Sequence, residues 1–117
     1  MNQTELLKGT LSTIILKLLE ERGKMYGYEI TQCVKSLSGD KILVKEGSLY
    51  PALHKLEADG LVTTEEVYIG KRVRKYYALT VPGKTATKES VDELIDFLNT
   101  IHAIITSKPV SAYGPAI

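Results

Sequence analysis

Two short stretches hold the side chains able to do chemistry. In EGSLYPALHKLEADGLV, residues 46–62, Leu49, Leu53 and Leu56 recur at helical spacing and, with Ala52, anchor one face to a core. Ser48, Tyr50, Pro51, His54 and Lys55 are left toward solvent, and only Lys55 among them carries a fixed charge. The polar members donate hydrogen bonds, and tyrosine and histidine also lie flat against a sugar or a base. Short polar side chains beside the free N–H groups of a helix start suit a phosphate-lined groove. Pro51 is tolerated in or just beyond the first turn, where a lost hydrogen bond costs least. With Ser48 as the cap it is the third helical residue; a start near Glu46 puts it at a slight kink.

The second stretch is GKRVRK, residues 70–75, where Lys71, Arg72, Arg74 and Lys75 crowd a tight segment. From Val67 to Lys88 every charged residue is basic, and from Glu89 to Ser107 every charged residue is acidic (Glu89, Asp92, Glu93, Asp96). A charge run is ordinarily a solvated face. Here the bases gather beside a polar helix while the acids occupy another element, which is the electrostatic footprint of duplex binding. The alternative is a winged-helix module that binds protein and not DNA. Acids among the solvent-facing residues from Ser48 to Lys55, or a neutral hairpin, would mark it, and the sequence has neither.

These residues need elements to position them. Residues 4–22 read as a first helix with an apolar stripe of Leu7, Leu11, Ile14, Ile15, Leu18 and Leu19. Gly9 weakens its start, so the secure part begins near Thr10, and Gly23 ends it. A second helix runs from Gly27 to Leu37 with Ile30, Val34 and Leu37 on one face. KILVK, residues 41–45, reads as a brief strand, and the helix carrying Ser48 to Lys55 follows, ending at Gly60. LVTTEEVY and VRKYYALT flank Gly70 as a hairpin. Tyr76 and Tyr77 alternate on it, one toward the core and one exposed. Tyr26 and Tyr28 are read as core or rim residues, and Tyr50 as a phosphate or sugar contact. Thr80 caps a last helix, with Val81 and Pro82 in its first turn, running to about Ser107. The fold class is therefore mainly α with a small β-hairpin: a winged helix-turn-helix over residues 1–80 and a long helix over 81–107. Residues 108–117, with two prolines and a glycine, are expected to lack fixed structure.

At 1.5 Å per residue the last helix is about 40 Å long, out of scale for a domain this small. Val91, Leu94, Leu98, Ile101 and Ile105 step by three and four, and Ile95 widens the seam, as do Phe97 and Ile104. The preceding eighty residues have no core large enough to cover all of it; the alternative is a pack against the first helix of the same chain. Pairing with the same helix of a second copy would cover it, so Val91, Leu94, Ile95, Leu98, Ile101 and Ile105 are expected at a homodimer interface. Two reading helices would then meet a near-palindromic site in successive major grooves.

Other classes find little support. The 117 residues suffice for one domain, and the net charge of +1 is uninformative beside its segregation. A lone cysteine, Cys33, allows no intrachain disulfide and fits a cytoplasmic setting. The apolar run Leu11–Leu19 is too short and too charged to span a bilayer, and no signal peptide or membrane segment is read. His54 and His102 lie on separate helices without a ligand motif, so no metal, cofactor or enzymatic centre is expected.

The chain resembles the PadR family of bacterial transcriptional regulators, in its short, single-domain form. The likeness lies in MYGYEI before the second helix, in GSLYPALHKLEADGLV, and in GKRVRKYYALTVPGK, and it spans about residues 5–105. It implies a cytoplasmic winged-helix dimer, usually a repressor, joined through the last helix with help from the first. In the family some members respond to small aromatic or drug-like molecules, bound in certain of them between subunits, so a small aromatic effector is a possible partner. This chain has no tryptophan, so the tryptophan clamp of some drug-sensing relatives is absent.

Overall fold

The computed structural model describes residues 3–108. The tail expected over 108–117 lies, but for Lys108, outside the described residues. The first helix is broken where glycine weakens it. α1 (Gln3–Leu7) stops, Gly9 adopts φ 88°, and α2 (Leu11–Arg22) begins anew. The Thr10 N–H and hydroxyl both donate to the Leu7 carbonyl, at 3.0 and 2.9 Å, closing the turn between them. Leu11, Ile15, Leu16, Leu18 and Leu19 of α2 are buried at the centre of the core, and Leu7 and Ile14 pack against it.

β1 (Met25–Tyr26) leads directly into α3 (Gly27–Leu37), whose bounds match the expected ones. The Glu29 carboxylate reaches back to accept the Tyr26 N–H at 3.1 Å, satisfying a donor at the helix start. Ile30 and Val34 are buried as expected, but Leu37 is exposed, because it is the last helical residue and the chain turns away there.

The strand expected over residues 41–45 does not form; only Val44 in it is buried. A strand needs a partner for its backbone groups, and none of residues 41–45 pairs with another strand. The segment instead leaves α3 through two left-handed residues, Gly39 and Asp40, with the Ser38 hydroxyl accepting the Ile42 N–H at 3.0 Å. α4 (Glu46–Ala58) takes the earlier of the two starts weighed above. Lys45 is its N-cap, and Pro51 lies inside the helix, beyond its first turn.

β2 (Val62–Ile69) and β3 (Arg72–Leu79) form the hairpin, paired from Val62↔Leu79 to Ile69↔Arg72. The turn is the two residues Gly70 and Lys71, with Gly70 at φ 63°, where glycine serves best. β1 adds to the other side of β3 through Met25↔Tyr77 and Tyr26↔Tyr76, giving the order β1-β3-β2. Tyr77 is the buried member of its pair and Tyr76 is half-buried. Burial pushes the Tyr77 phenol pKa up. The fold is mostly helical with a small antiparallel sheet, the winged helix-turn-helix expected, plus one strand that was not.

α5 (Val81–Ile105) starts at Thr80, whose hydroxyl accepts the Gly83 N–H at 3.0 Å. It packs on α2, and Gly83 and Thr87 are its buried residues. From Ile95 onward every described residue of α5 is exposed.

Candidate nucleic-acid interface

α4 presents the polar residues on a face set by its three buried leucines. Pro51, His54 and Lys55 are exposed, whereas Ser48 and Tyr50 are half-buried. Ser48 and Pro51 border a groove against Leu7, Gly9 and Ser12. Tyr50 lies around the helix from them, beside the core and against α3. Its ring is 6.5 Å from that of His54. Lys55 pairs with Asp59 at 3.0 Å, an exposed contact of the kind that contributes little and leaves the cation available.

The approach of Tyr50 to α3 explains Gly27. A Cβ on that residue would lie 2.5 Å from the Tyr50 hydroxyl oxygen and 3.0 Å from Cζ. Gly27→Ala therefore displaces the end of a side chain and is expected to cost about 1–2 kcal/mol in urea unfolding. Tyr50→Phe in the same chain should recover part of that loss. An additive pair of effects would place Tyr50 elsewhere.

Strand register divides the basic hairpin residues. Lys75 shares a face with buried Tyr77; Arg72, Arg74 and Tyr76 occupy the other. Lys75 Nζ is 3.9 Å from the Glu57 carboxylate on α4 and 5.6 Å above the Tyr77 ring. The Arg74 guanidinium lies 4.0 Å from the centre of the Tyr26 ring, and its Nη1 is 3.4 Å from the Tyr76 hydroxyl. That hydrogen bond raises the pKa of an already permanently charged group. Lys71 and Arg72, at the turn, are exposed, and their side chains have no ion pair or hydrogen bond among the described residues. A groove bounded by Tyr26, Gly27, Tyr50, Arg72, Arg74 and Lys75 joins the hairpin to α3 and α4. The structure thus brings Tyr50, Arg72, Arg74 and Lys75 around one groove, with His54 beside Tyr50 and Lys71 at the turn. Ser48 and Pro51 border another.

Lys24 is not singled out by the sequence reading and Tyr26 is read there only as a core or rim residue, although both belong to this surface. Lys24 bridges to Glu65 at 3.3 Å and stands 5.4 Å from the Tyr76 ring centre, and the Tyr26 and Tyr76 rings meet edge to face at 5.4 Å. The only signal for them was the aromatic spacing of MYGY. Lys45, exposed at the start of α4, was read merely as the end of a strand.

The α5 residues expected at a homodimer interface divide by exposure. Val91 and Leu94 are half-buried, while Ile95, Leu98, Ile101 and Ile105 are exposed. No helix among the described residues is long and apolar enough to cross a membrane.

Residues 15–89 match the model of the Transcriptional regulator PadR-like family. An uncharacterized protein of Lysinibacillus sphaericus is 34% identical over 97 residues, covering 80% of this chain and 85% of that protein. The negative transcriptional regulator PadR of Bacillus subtilis is 36% identical over 75 residues, 63% of this chain but 41% of that longer one. A transcriptional regulator structure from Clostridium thermocellum superposes with a TM-score of 0.80 at 29% identity, covering 87% of this chain and 99% of the other. Bacillus subtilis PadR in complex with operator DNA gives 0.63 at 30% identity, over 85% of this chain and 60% of that one. With its helix-turn-helix, basic hairpin and long last helix, the chain belongs to the PadR-like family of transcriptional regulators, which are non-enzymatic DNA-binding proteins.

Proposed function

We propose that the protein is a homodimeric repressor acting in the cytoplasm on a near-palindromic double-stranded operator, and that a small aromatic effector releases it. The observation that carries the reading is the pair of unengaged cations at the hairpin turn, Lys71 and Arg72, the second of which borders the groove that Tyr50 of α4 also lines. In this reading Ser48, Tyr50, Pro51, His54 and Lys55 approach groove edges and backbone, and Lys71 and Arg72 neutralise phosphates. Arg74 and Lys75, held by partners within the chain, border the same surface. Residues 1–80 serve as the DNA-binding unit and α5 as the dimerisation element. Repression is supported by the relative named a negative regulator, and operator binding by the relative crystallised with its operator. Release by an aromatic molecule rests on the family likeness alone.

The test is a mobility-shift titration on DNA upstream of the protein's own gene, with and without small aromatic compounds. A single retarded species, lost when the compound is added, is expected. Absence of any shift at low salt would refute DNA binding. Within the same assay, Arg72→Ala should lower the slope of log affinity against log salt by about one unit per subunit and weaken all sequences alike. His54→Ala should instead change which base is preferred under it.

A further inference from the structure

The four hairpin cations look equivalent in sequence and are not equivalent in space. Arg74 folds back from the turn toward the body of the domain. Its guanidinium stacks on Tyr26, which ends β1 and precedes α3, and contacts Tyr76, which pairs with Tyr26. Beyond that pair β1 ends, so from Arg72 to Lys75 the strand is held by β2 alone. A two-stranded ribbon is the most easily twisted part of a sheet. The Arg74 stack is attached where the ribbon leaves its three-stranded base.

We infer that Arg74 is a positioning residue, which through Tyr26 and Tyr76 sets the angle of the hairpin so that Lys71 and Arg72 reach the DNA backbone. The inference rests on the DNA-binding reading and deepens it. A planar guanidinium stacked on an aromatic face is a geometric device that lysine does not reproduce. A plain phosphate contact is one that lysine does reproduce. The two roles therefore separate on a substitution that keeps the charge.

The parent protein first selects a duplex from a random pool; if it enriches none, the DNA-binding reading itself fails. Affinity for the selected duplex is then measured across salt concentrations for Arg74→Lys and Tyr26→Leu. Neither substitution changes the net charge. Each is expected to weaken binding more than a hundredfold at ~0.1 M salt and to flatten the salt slope by about two units per subunit, because two phosphate contacts are lost at the turn. In a chain carrying Lys71→Ala and Arg72→Ala, neither should have any further effect. Tyr26→Phe, which keeps the ring, should bind like the parent. Arg74→Lys lies at the surface and carries the test should Tyr26→Leu melt early. A selected duplex bound by Arg74→Lys with the parent's affinity, or with the parent's slope, overturns the assignment. So does an equal loss in the chain lacking the turn cations.

Discussion

Replacing Leu98 and Ile101 of α5 with glutamate is expected to convert the proposed dimer to a monomer and to lower operator affinity more than a hundredfold. Both residues are apolar and exposed in the single chain, Leu98 at 52% and Ile101 at 37%. Phe97, Ile104 and Ile105 extend the same exposed apolar length of helix. Nothing in the chain's own core depends on them, so the substitution leaves the winged-helix unit folded. A two-fold interface would meet each change twice, placing four carboxylates in a seam without basic partners. Each unpaired charge in such a seam costs several kcal/mol, more than its apolar contacts contribute. A monomer keeps one reading helix and one hairpin, so it loses the gain from engaging two half-sites at once. Sedimentation gives the mass and a mobility shift gives the affinity. A variant of unchanged mass that still binds the operator would show that this face has another purpose.

Where the fold was legible in sequence, periodicity and capping chemistry ran long enough to be read. α3 and α5 begin as expected because Gly27 and Thr80 mark them, and Leu49, Leu53 and Leu56 are all buried. What escaped was short. Met25–Tyr26 is a strand of two residues, which has no period, and only its pairing with Tyr77 and Tyr76 makes it one. KILVK has strand composition but pairs with no other strand, and composition alone does not make one. Gly9 was recognised as a weak point; the Thr10 bonds to Leu7 turn that weakness into a break.

The candidate site divides along the same line. Residue type identified the basic hairpin, but the strand face on which each cation lies depends on register, where a shift of one residue reverses every side chain. Two-residue closure at Gly70–Lys71 sends Arg74 toward Tyr26 and Lys75 toward Glu57, leaving Lys71 and Arg72 at the turn. Tyr50 was read as an outward contact from its place on one helix. Gly27, on another helix, lets its ring settle half-buried between the two.

Gly83→Ala is expected to destabilise the protein by about 3 kcal/mol, a fall in Tm of roughly 10 °C for a domain of this size. A Cβ at Gly83 would overlap the Leu61 carbonyl oxygen, which is backbone and has no side-chain freedom to yield. That oxygen accepts the Thr80 N–H at 3.1 Å, and the neighbouring Gly60 carbonyl accepts the Thr80 hydroxyl at 2.7 Å. The Thr80 hydroxyl accepts from Gly83 in turn, and the Gly83 carbonyl takes the hydroxyl of fully buried Thr87 at 2.7 Å. α5 therefore cannot tilt away from the added methyl without breaking bonds at its first turn, and each bond lost adds about 1 kcal/mol. The same corner joins the end of α4 to the start of α5, so the damage also reaches the angle between the reading helix and the proposed dimer helix. Gly47→Ala is the matched control. It is helical, its added Cβ meets nothing within 4 Å, and it should stabilise the chain by roughly 0.5–1 kcal/mol. Urea melts of the two variants should move in opposite directions. Should Gly83→Ala instead unfold with the parent, the first turn of α5 would have to stand farther from Leu61 than this packing places it.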